Sequence, residues 1–244
     1  MLKAKWYFLG KVDYETAYSL QLQLAEKLKS EHGLCGYLLF LEHPPTITFG
    51  YSLKGDEGKS ELRVSKRELE ERGFKIFHTD RGGKATYHGP GQLVCYLILN
   101  LNLLRLSAKR YVRKLEEVVI SWLRSLGIDA KRDPDYPGVW VGEKKIASVG
   151  VRIEERISRH GIAVNLHPNL ADFELIIPCG IKSRKMTSYF QLTGEKLDYQ
   201  TAISGILKEF SRIFQVEVFP AETREFFRQG GIDDNQRMAY SGPV

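Results

Sequence analysis

Apolar residues recur every 3.6 positions in three parts of the chain, and this period predicts three amphipathic helices. The first is expected after an Asp13 cap, the second from a Ser107 cap over residues 107–127 and the third over residues 199–214. A capping box of Ser65 and Glu68 predicts a further short helix between the first two.

Runs of β-branched and aromatic residues predict strands between these helices. The expected strands cover residues 5–9, 36–42, 46–49, 74–77, 138–141, 145–153, 162–166 and 215–219. The segments between 138 and 166 follow one another too closely for crossover helices, so they are expected to pair antiparallel. Because the chain contains no repeat and no linker, we predict one α+β domain over residues 1–232, followed by a flexible polar tail over 233–244.

Composition excludes several classes of protein. With 43% hydrophobic and 27% charged residues in 244, the chain can bury a core and does not read as disordered. The longest apolar stretch, residues 93–104, is interrupted by two asparagines and is too short to cross a membrane. The N-terminus lacks a signal-peptide pattern, so we expect a cytoplasmic protein. The net charge of +6 favours acidic protein partners, and nucleic acid is not an expected partner.

The three cysteines have different surroundings. Their number and spacing support neither a disulfide framework nor a zinc site. Cys35 and Cys95 lie in or beside apolar strand-like runs, where a cysteine is usually inert. Cys179 lies between Pro178 and Gly180, so it is expected on a turn and is the candidate nucleophile. A purely structural turn cysteine remains the alternative reading of these residues.

The segment 81–92 has four glycines and one proline between two strand-like runs. Glycines let a backbone approach a ligand closely, so this loop is expected to wall a narrow pocket or to cradle an anion. The alternative is a hairpin connection with glycines for turn geometry alone. The segment matches neither common nucleotide-binding glycine motif.

A reactive cysteine needs a neighbouring base or cation, and the candidates are His88, His160 and Lys145. If Ile146 packs into the core, strand alternation places Lys145 on the other face, among small residues that would leave it partly desolvated. Its neighbour Lys144 is expected to be solvated.

Together, these residues resemble the lipoyl(octanoyl) transferases over nearly the whole chain. The matching segments are Leu9-Gly10 with Tyr14, Ala17 and Gln21, Glu42-His43-Pro44-Pro45, Thr48-Phe49-Gly50, Arg81-Gly82-Gly83, Thr86 to Gln92, Lys145 to Gly150, His160 to Ala163 with Asn165, and Pro178-Cys179-Gly180. Val149 and the Cys95-Tyr96-Leu97 run depart slightly from the family pattern, and neither touches the reactive groups.

The resemblance implies the fold of the biotin and lipoate protein ligases, a mixed and largely antiparallel sheet flanked by helices. It also implies transfer of an octanoyl group from octanoyl-acyl carrier protein to a lysine of lipoyl domains, through a Cys179 thioester. The implied acceptors are the lipoyl domains of 2-oxoacid dehydrogenase E2 subunits and the glycine cleavage H protein. No cofactor or metal is implied, because a thioester is already activated.

The resemblance implies that Lys145 lowers the pKa of Cys179 and transfers protons in the reaction. Three segments are expected to contact the acyl chain. Their residues are Arg81, Gly82, Gly83, Lys84, Ala85, Thr86, Tyr87, His88, Ser148, Val149, Gly150, Gly161, Ile162 and Ala163. We expect His88 to order this wall through hydrogen bonds and not to act as a base.

Three alternatives remain at this point. An ATP-dependent lipoate or biotin protein ligase of similar fold would use a lysine near position 145 and no cysteine. A non-catalytic module would only bind the carrier or the lipoyl domain. A Cys-His hydrolase would use His88 or His160 and pass the acyl group to water.

Overall fold

The computed structural model describes residues 1–53, 58, 60–177 and 185–223. The strands are β1 (Leu2–Lys11), β2 (Gly36–Glu42), β3 (Thr46–Phe49), β4 (Lys75–His78), β5 (Ala85–His88), β6 (Gln92–Leu99), β7 (Ala130–Arg132), β8 (Val139–Val141), β9 (Lys144–Glu154), β10 (Ile157–Asn165) and β11 (Val216–Pro220). The helices are α1 (Tyr14–Ser30), α2 (Lys66–Glu71), α3 (Ala108–Ser125), α4 (Tyr189–Thr193) and α5 (Tyr199–Phe214), with a 3₁₀ helix at Leu170–Leu175.

Two sheets form the framework. The larger has eight strands in the order β11-β1-β2-β6-β10-β9-β8-β7, and the smaller has the order β4-β3-β5. In the larger sheet β1 pairs parallel with β11 and with β2, and the other pairs among the described strands are antiparallel. The expected mixed, largely antiparallel sheet is confirmed, and so is the antiparallel order of β8, β9 and β10.

Helices cover both faces of the larger sheet. On one face, the apolar stripes of α3 and α5 pack against the sheet around Trp122, whose ring lies directly beside Gly205. On the other face, α1 buries Ala17, Leu24 and Leu28 against β2 and β6. Each fully buried large side chain stabilises the fold by roughly 1.5–3 kcal/mol, so these stripes explain why the amphipathic helices lie where the sequence predicts them.

Helix caps agree with the sequence in two of three cases. Ser65 and Ser107 accept hydrogen bonds from Glu68 and Arg110 main-chain nitrogens at 3.1 and 3.4 Å. Asp13 makes no side-chain cap, because its carboxylate instead accepts from the Lys75 amine at 3.0 Å. Within the described ranges, no helix is both long and apolar enough to cross a bilayer.

The glycine-rich segment is not a continuous loop, and that expectation was wrong. Residues Ala85–His88 form β5, which pairs antiparallel with β3 in the smaller sheet. Thr86 and Tyr87 favour extended structure, and partners on β3 satisfy their main chain. The glycines are confined to the two ends of this short strand. The expected tail, residues 233–244, lies outside the described residues.

Candidate active site

A pocket lies between the residue 81–88 segment and the strands β6, β9 and β10, with a volume of about 500 Å³ that includes space open to solvent. Twelve of the fourteen residues expected to contact an acyl chain line it. They are Arg81, Gly82, Gly83, Lys84, Thr86, His88, Ser148, Val149, Gly150, Gly161, Ile162 and Ala163. The structure therefore brings together three segments that are far apart in sequence.

The other two residues, Ala85 and Tyr87, lie on the opposite face of β5. Strand alternation turns them into the core of the smaller sheet. The Tyr87 ring packs edge-on against Phe173, with 5.1 Å between ring centroids, and its hydroxyl donates to Asp172 at 3.0 Å. They support the pocket wall and do not line the pocket.

Arg81 anchors this wall. Its buried guanidinium donates to the Thr48 hydroxyl and to the Thr48 carbonyl oxygen, the latter at 2.6 Å. The next residue, Gly82, donates its main-chain N–H to the Val151 carbonyl oxygen at 3.0 Å. The wall is thus tied to both β3 and β9, which fixes the width of the pocket between them.

Two glycines face each other on the floor, since Gly150 of β9 pairs with Gly161 of β10. A Cβ at Gly150 would lie 3.2 Å from the Gly82 carbonyl oxygen, so the missing side chain lets the wall approach the floor. A Cβ at Gly161 would lie 2.3 Å from the Cys95 carbonyl oxygen. Gly150 therefore controls pocket width, whereas Gly161 is required by packing.

Three histidines, His43, His88 and His160, are buried at or beside the pocket, and burial lowers the pKa of each. Burial lowers the pKa of His88 to about 3 and that of His43 to about 4. His88 bonds through Nδ1 to Gln92 at 2.7 Å, and His43 bonds through Nε2 to the Tyr96 hydroxyl at 2.7 Å. A histidine with so low a pKa is a poor cation for activating a thiol, which agrees with the ordering role expected of His88.

His160 contacts a charged cluster at the edge of the pocket. Its φ of 57° is unfavourable for a residue other than glycine. A hydrogen bond from its main-chain N–H to the Gln21 side-chain oxygen, at 2.7 Å, stabilises this conformation. Its Nε2 lies 2.8 Å from a carboxylate oxygen of Asp80, and Arg159 donates to the other oxygen at 2.7 Å. Burial lowers the pKa of His160.

Asp80 lies behind the pocket wall, bonded to the pocket residue His160, and sequence reasoning missed it. Burial alone would raise the pKa of its carboxyl, but the bond to His160 and the charge of Arg159 outweigh burial and hold the pKa at about 2. Tyr14, Val94, Tyr96 and His160 line the pocket without having been predicted to contact the acyl chain. Tyr14 stands within the motifs of the resemblance, and His160 was in addition a candidate activator of the cysteine.

Lys145 and Lys144 differ as strand alternation predicts. Lys144 is exposed, whereas Lys145 is only 2% exposed. The Lys145 amine lies 5.0 Å from the centroid of the Trp140 ring, and its Cε lies beside Gly138. Ile146 packs into the α3–α5 core, and the β8–β9 register shifts by one residue here, which indicates a bulge. Lys145 is thus a desolvated amine at the start of β9.

Cys179 lies outside the described residues, so its distance to Lys145 is not part of the structure. The described residues on either side of residues 178–184 are well anchored. Ile177 donates its N–H to the Glu61 carbonyl oxygen at 2.7 Å, and the Lys185 carbonyl oxygen accepts from the Lys145 N–H at 3.0 Å. Cys35 and Cys95 are buried, as expected, and burial raises the pKa of both thiols, that of Cys35 to about 11.

The sequence matches a known protein family over most of its length. The family model for the lipoyl protein ligase A/B catalytic domain matches residues 13–211. The chain therefore belongs to the lipoyl protein ligase A/B catalytic domain family.

Relatives of high sequence identity define the activity more closely than the family does. The chain is 41% identical to the octanoyltransferase of Clostridium kluyveri, over 87% of this chain and 88% of that protein. It is also 41% identical to the octanoyltransferase of Caldicellulosiruptor saccharolyticus, over 87% and 89% of the two chains. The chain is accordingly an acyltransferase of the octanoyl-transferring kind that acts in protein lipoylation.

Solved structures agree on the fold. A lipoate-protein ligase A bound with ATP superposes with a TM-score of 0.74 at 17% identity, covering 93% of this chain and 95% of that chain. A lipoate protein ligase of Thermoplasma acidophilum with bound lipoic acid gives a TM-score of 0.69 at 18% identity, covering 98% and 100%. At this identity the likeness confirms the expected fold alone.

Proposed function

We propose that the chain transfers an octanoyl group from octanoyl-acyl carrier protein to a lysine of lipoyl domains, through a thioester on Cys179. The observation that carries this proposal is the burial of Lys145 beside a residue that is close to Cys179 in the chain. The Lys145 N–H donates a hydrogen bond to the carbonyl oxygen of Lys185, six residues after Cys179. The acceptors we propose are the lipoyl domains of 2-oxoacid dehydrogenase E2 subunits and the glycine cleavage H protein.

In the first half-reaction, the Cys179 thiolate attacks the thioester carbonyl carbon of the octanoyl donor. A new carbon–sulfur bond forms, and the tetrahedral oxyanion is stabilised by main-chain N–H donors. The carbon–sulfur bond to the carrier then breaks, and Lys145 or a water that it orients gives a proton to the departing thiolate. An unperturbed thiol has a pKa near 8.5 and is only a few per cent ionised at pH 7. The Lys145 cation therefore also has to lower the pKa of the Cys179 thiol, so that the thiolate is populated.

In the second half-reaction, the acceptor lysine attacks the Cys179 thioester as a neutral amine. The new bond is an amide, and the leaving group is the Cys179 thiolate. The proton lost by the attacking nitrogen passes to Lys145, which restores the starting ammonium. One residue can serve as acid and then as base because the two half-reactions move a proton in opposite directions.

The pocket supplies the acyl-binding surface. Val94, Val149, Ile162 and Ala163 give it apolar walls. Ser148 lies three residues beyond Lys145 on β9, or about 10 Å at the usual strand rise. This spacing is comparable to an extended eight-carbon chain whose carbonyl group lies near Lys145, and the closeness of wall and floor at Gly150 favours a slender unbranched chain.

The likeness to ATP-dependent ligases makes a ligase the second candidate. Its reaction would form an acyl-adenylate, and its lysine would contact that intermediate and not a cysteine. Exchange of labelled pyrophosphate into ATP in the presence of lipoate would favour the ligase. We expect no such exchange.

Intact-mass measurement tests the covalent step. After incubation with octanoyl-acyl carrier protein, the wild-type chain should gain the mass of one octanoyl group, and neutral hydroxylamine should remove it. Cys179→Ala should lose both the adduct and transfer to a lipoyl domain, whereas Cys35→Ala and Cys95→Ala should keep both. Substantial transfer by Cys179→Ala would contradict the thioester mechanism.

A further inference from the structure

A chain of buried side-chain amides connects the pocket wall to the main chain of Lys145. His88 Nδ1 lies 2.7 Å from Gln92 Oε1, and Gln92 Nε2 donates to Asn165 Oδ1 at 2.9 Å. Asn165 Nδ2 donates to the Thr187 carbonyl oxygen at 2.9 Å, and the Thr187 N–H donates to the Lys145 carbonyl oxygen at 2.9 Å. All five residues are at most 6% exposed.

The Thr187 end of this network determines which group donates and which accepts in each of its side-chain hydrogen bonds. A main-chain carbonyl oxygen can only accept, so the Asn165 amide must turn its nitrogen towards Thr187. Its oxygen then faces Gln92, whose nitrogen must donate and also points to the Tyr87 carbonyl oxygen at 3.4 Å. The Gln92 oxygen is left to accept from His88, so the histidine carries its proton on Nδ1.

We infer that Asn165 is a positioning residue for Lys145, and that through Gln92 the same amide sets the tautomer of His88 in the pocket wall. Two main-chain hydrogen bonds hold Lys145. Its N–H donates to the Lys185 carbonyl oxygen, and its carbonyl oxygen accepts from the Thr187 N–H. Asn165 is the side chain that fixes the Thr187 end of this pairing to β10. The inference rests on the proposed function only in giving Lys145 a reactive role.

The alternative is that Asn165 merely fills space in a buried polar layer. A filler would lower stability and activity alike when it is changed, with no dependence on the protonation of its replacement. A positioning amide must donate to Thr187, so its replacement should work only when it carries a proton.

Asn165→Asp separates these two roles because the side chains have nearly the same shape. The introduced carboxyl can donate to the Thr187 carbonyl oxygen only when protonated, and its ionised form places negative charge against that oxygen. We expect the ratio of kcat in Asn165→Asp to kcat in wild type to fall about a hundredfold with rising pH, along a single ionisation between pH 5 and pH 9. KM for the octanoyl donor should stay within about threefold, because the pocket walls are unchanged.

Asn100→Asp is the matched control. Asn100 Oδ1 only accepts hydrogen bonds, from the N–H groups of Asn102 and Leu103, and a carboxylate does the same. Its kcat ratio to wild type should stay near one at every pH. A ratio for Asn165→Asp that does not vary with pH, whatever its size, would overturn the positioning role.

Hydrogen exchange gives a readout that needs no transfer activity. In Asn165→Asp, main-chain amides in peptides containing Lys145 and Thr187 should exchange at least about tenfold faster than in wild type at high pH, and at nearly wild-type rates at low pH. Unchanged exchange in these peptides would overturn the inference even if activity fell. If exchange responds but wild type transfers no octanoyl group, the proposed function fails and the inference about the Lys145 main chain stands.

Nitrogen NMR of the wild-type imidazoles tests the direction of the chain. We expect His88 as a neutral ring with its proton on Nδ1 throughout pH 5–8. A proton on Nε2 would contradict the assigned direction.

Discussion

His88 and His160 both line the pocket, but their partners belong to different kinds of network. His88 heads a chain of neutral amides that leads inward to Lys145. His160 contacts a pair of charged groups, Asp80 and Arg159, which leads outward to exposed Glu154. Neutral amides can be buried without the large desolvation cost of ions, and their hydrogen bonds keep a fixed direction. Such a network is therefore suited to the buried surroundings of Lys145. The charged cluster lies beside the His160 backbone, and its carboxylates Asp80 and Glu154 extend it towards solvent.

The largest effect on transfer activity should follow from removing the Lys145 amine, at the inner end of the amide network. Lys145→Ala should lower kcat at least about a thousandfold, because both proton transfers are lost. It should also raise the pH midpoint of Cys179 alkylation by iodoacetamide by about one unit, or about 1.4 kcal/mol.

Exposed Lys144 supplies the control for this change, and Lys144→Ala should leave both measurements unchanged. An alkylation profile that does not move in Lys145→Ala would refute the pairing of Lys145 with Cys179. A large shift in His88→Ala would assign the role to histidine.

At the outer end, Gly161→Ala should destabilise the fold by about 3 kcal/mol, since its Cβ would lie 2.3 Å from the Cys95 carbonyl oxygen, next to strained His160. Urea denaturation measures this effect. Gly150→Ala is the matched change on the facing strand, where the nearest atom would be 3.2 Å away.

Gly150→Ala should keep nearly wild-type stability and narrow the pocket instead, so that kcat/KM falls several-fold for octanoyl and less for hexanoyl thioesters. Equal stability losses in Gly150→Ala and Gly161→Ala would show that the two glycines do not have the separate roles assigned to them.

A smaller effect is expected at Asp80, with a defined dependence on pH. Its folded-state pKa of about 2 lies below the 3.8 of a free aspartate side chain, so its contribution to stability is present above about pH 4 and is lost as pH falls towards 2. Asp80→Asn should lower the free energy of unfolding by about 1 kcal/mol at pH 7, a value reduced by solvent screening, and by less at pH 3. Exposed Asp135→Asn is the control. A difference that grows on acidification would contradict the charged-cluster description.

The smallest effect concerns the partner proteins. With a net charge of +6, the chain should bind an acidic carrier protein more weakly in salt, so KM for octanoyl-acyl carrier protein should rise a few-fold by roughly 0.5 M salt. KM for a small octanoyl thioester should not rise in parallel. A flat KM for the carrier protein would mean that the basic surplus plays no part in docking.

Local patterns in the sequence predicted most of the elements but fewer of their contacts. Strands β2 and β3 and helix α5 have the predicted bounds because each is set by its own periodicity and flanking turns. The contrast between Lys144 and Lys145 followed from strand alternation alone. Strand β5 was missed because glycines flank only four residues, whose pairing partner β3 lies far away in sequence.

The site was predictable where a motif carried it and not where distant residues meet. Asp80 and His160 are separated by 80 positions, and Gln92 and Asn165 by 73. No local pattern reports such contacts, and the pKa shifts depend on burial that only the folded chain provides. Resemblance named most of the pocket residues, but the direction of the amide chain required the geometry of the Thr187 carbonyl group.

The parallel pairing of β1 with β11 has a consequence for biosynthesis. Leu2 pairs with Val216 and Lys5 with Phe219, so one edge of β1 is covered by a strand that is synthesised more than 200 residues later. Until residue 216 is made, β1 presents an open edge beside an otherwise assembled sheet, and such edges recruit other chains. A ribosome that stalls in α5 would therefore release an aggregation-prone product, although the pocket strands β6, β9 and β10 had already been synthesised.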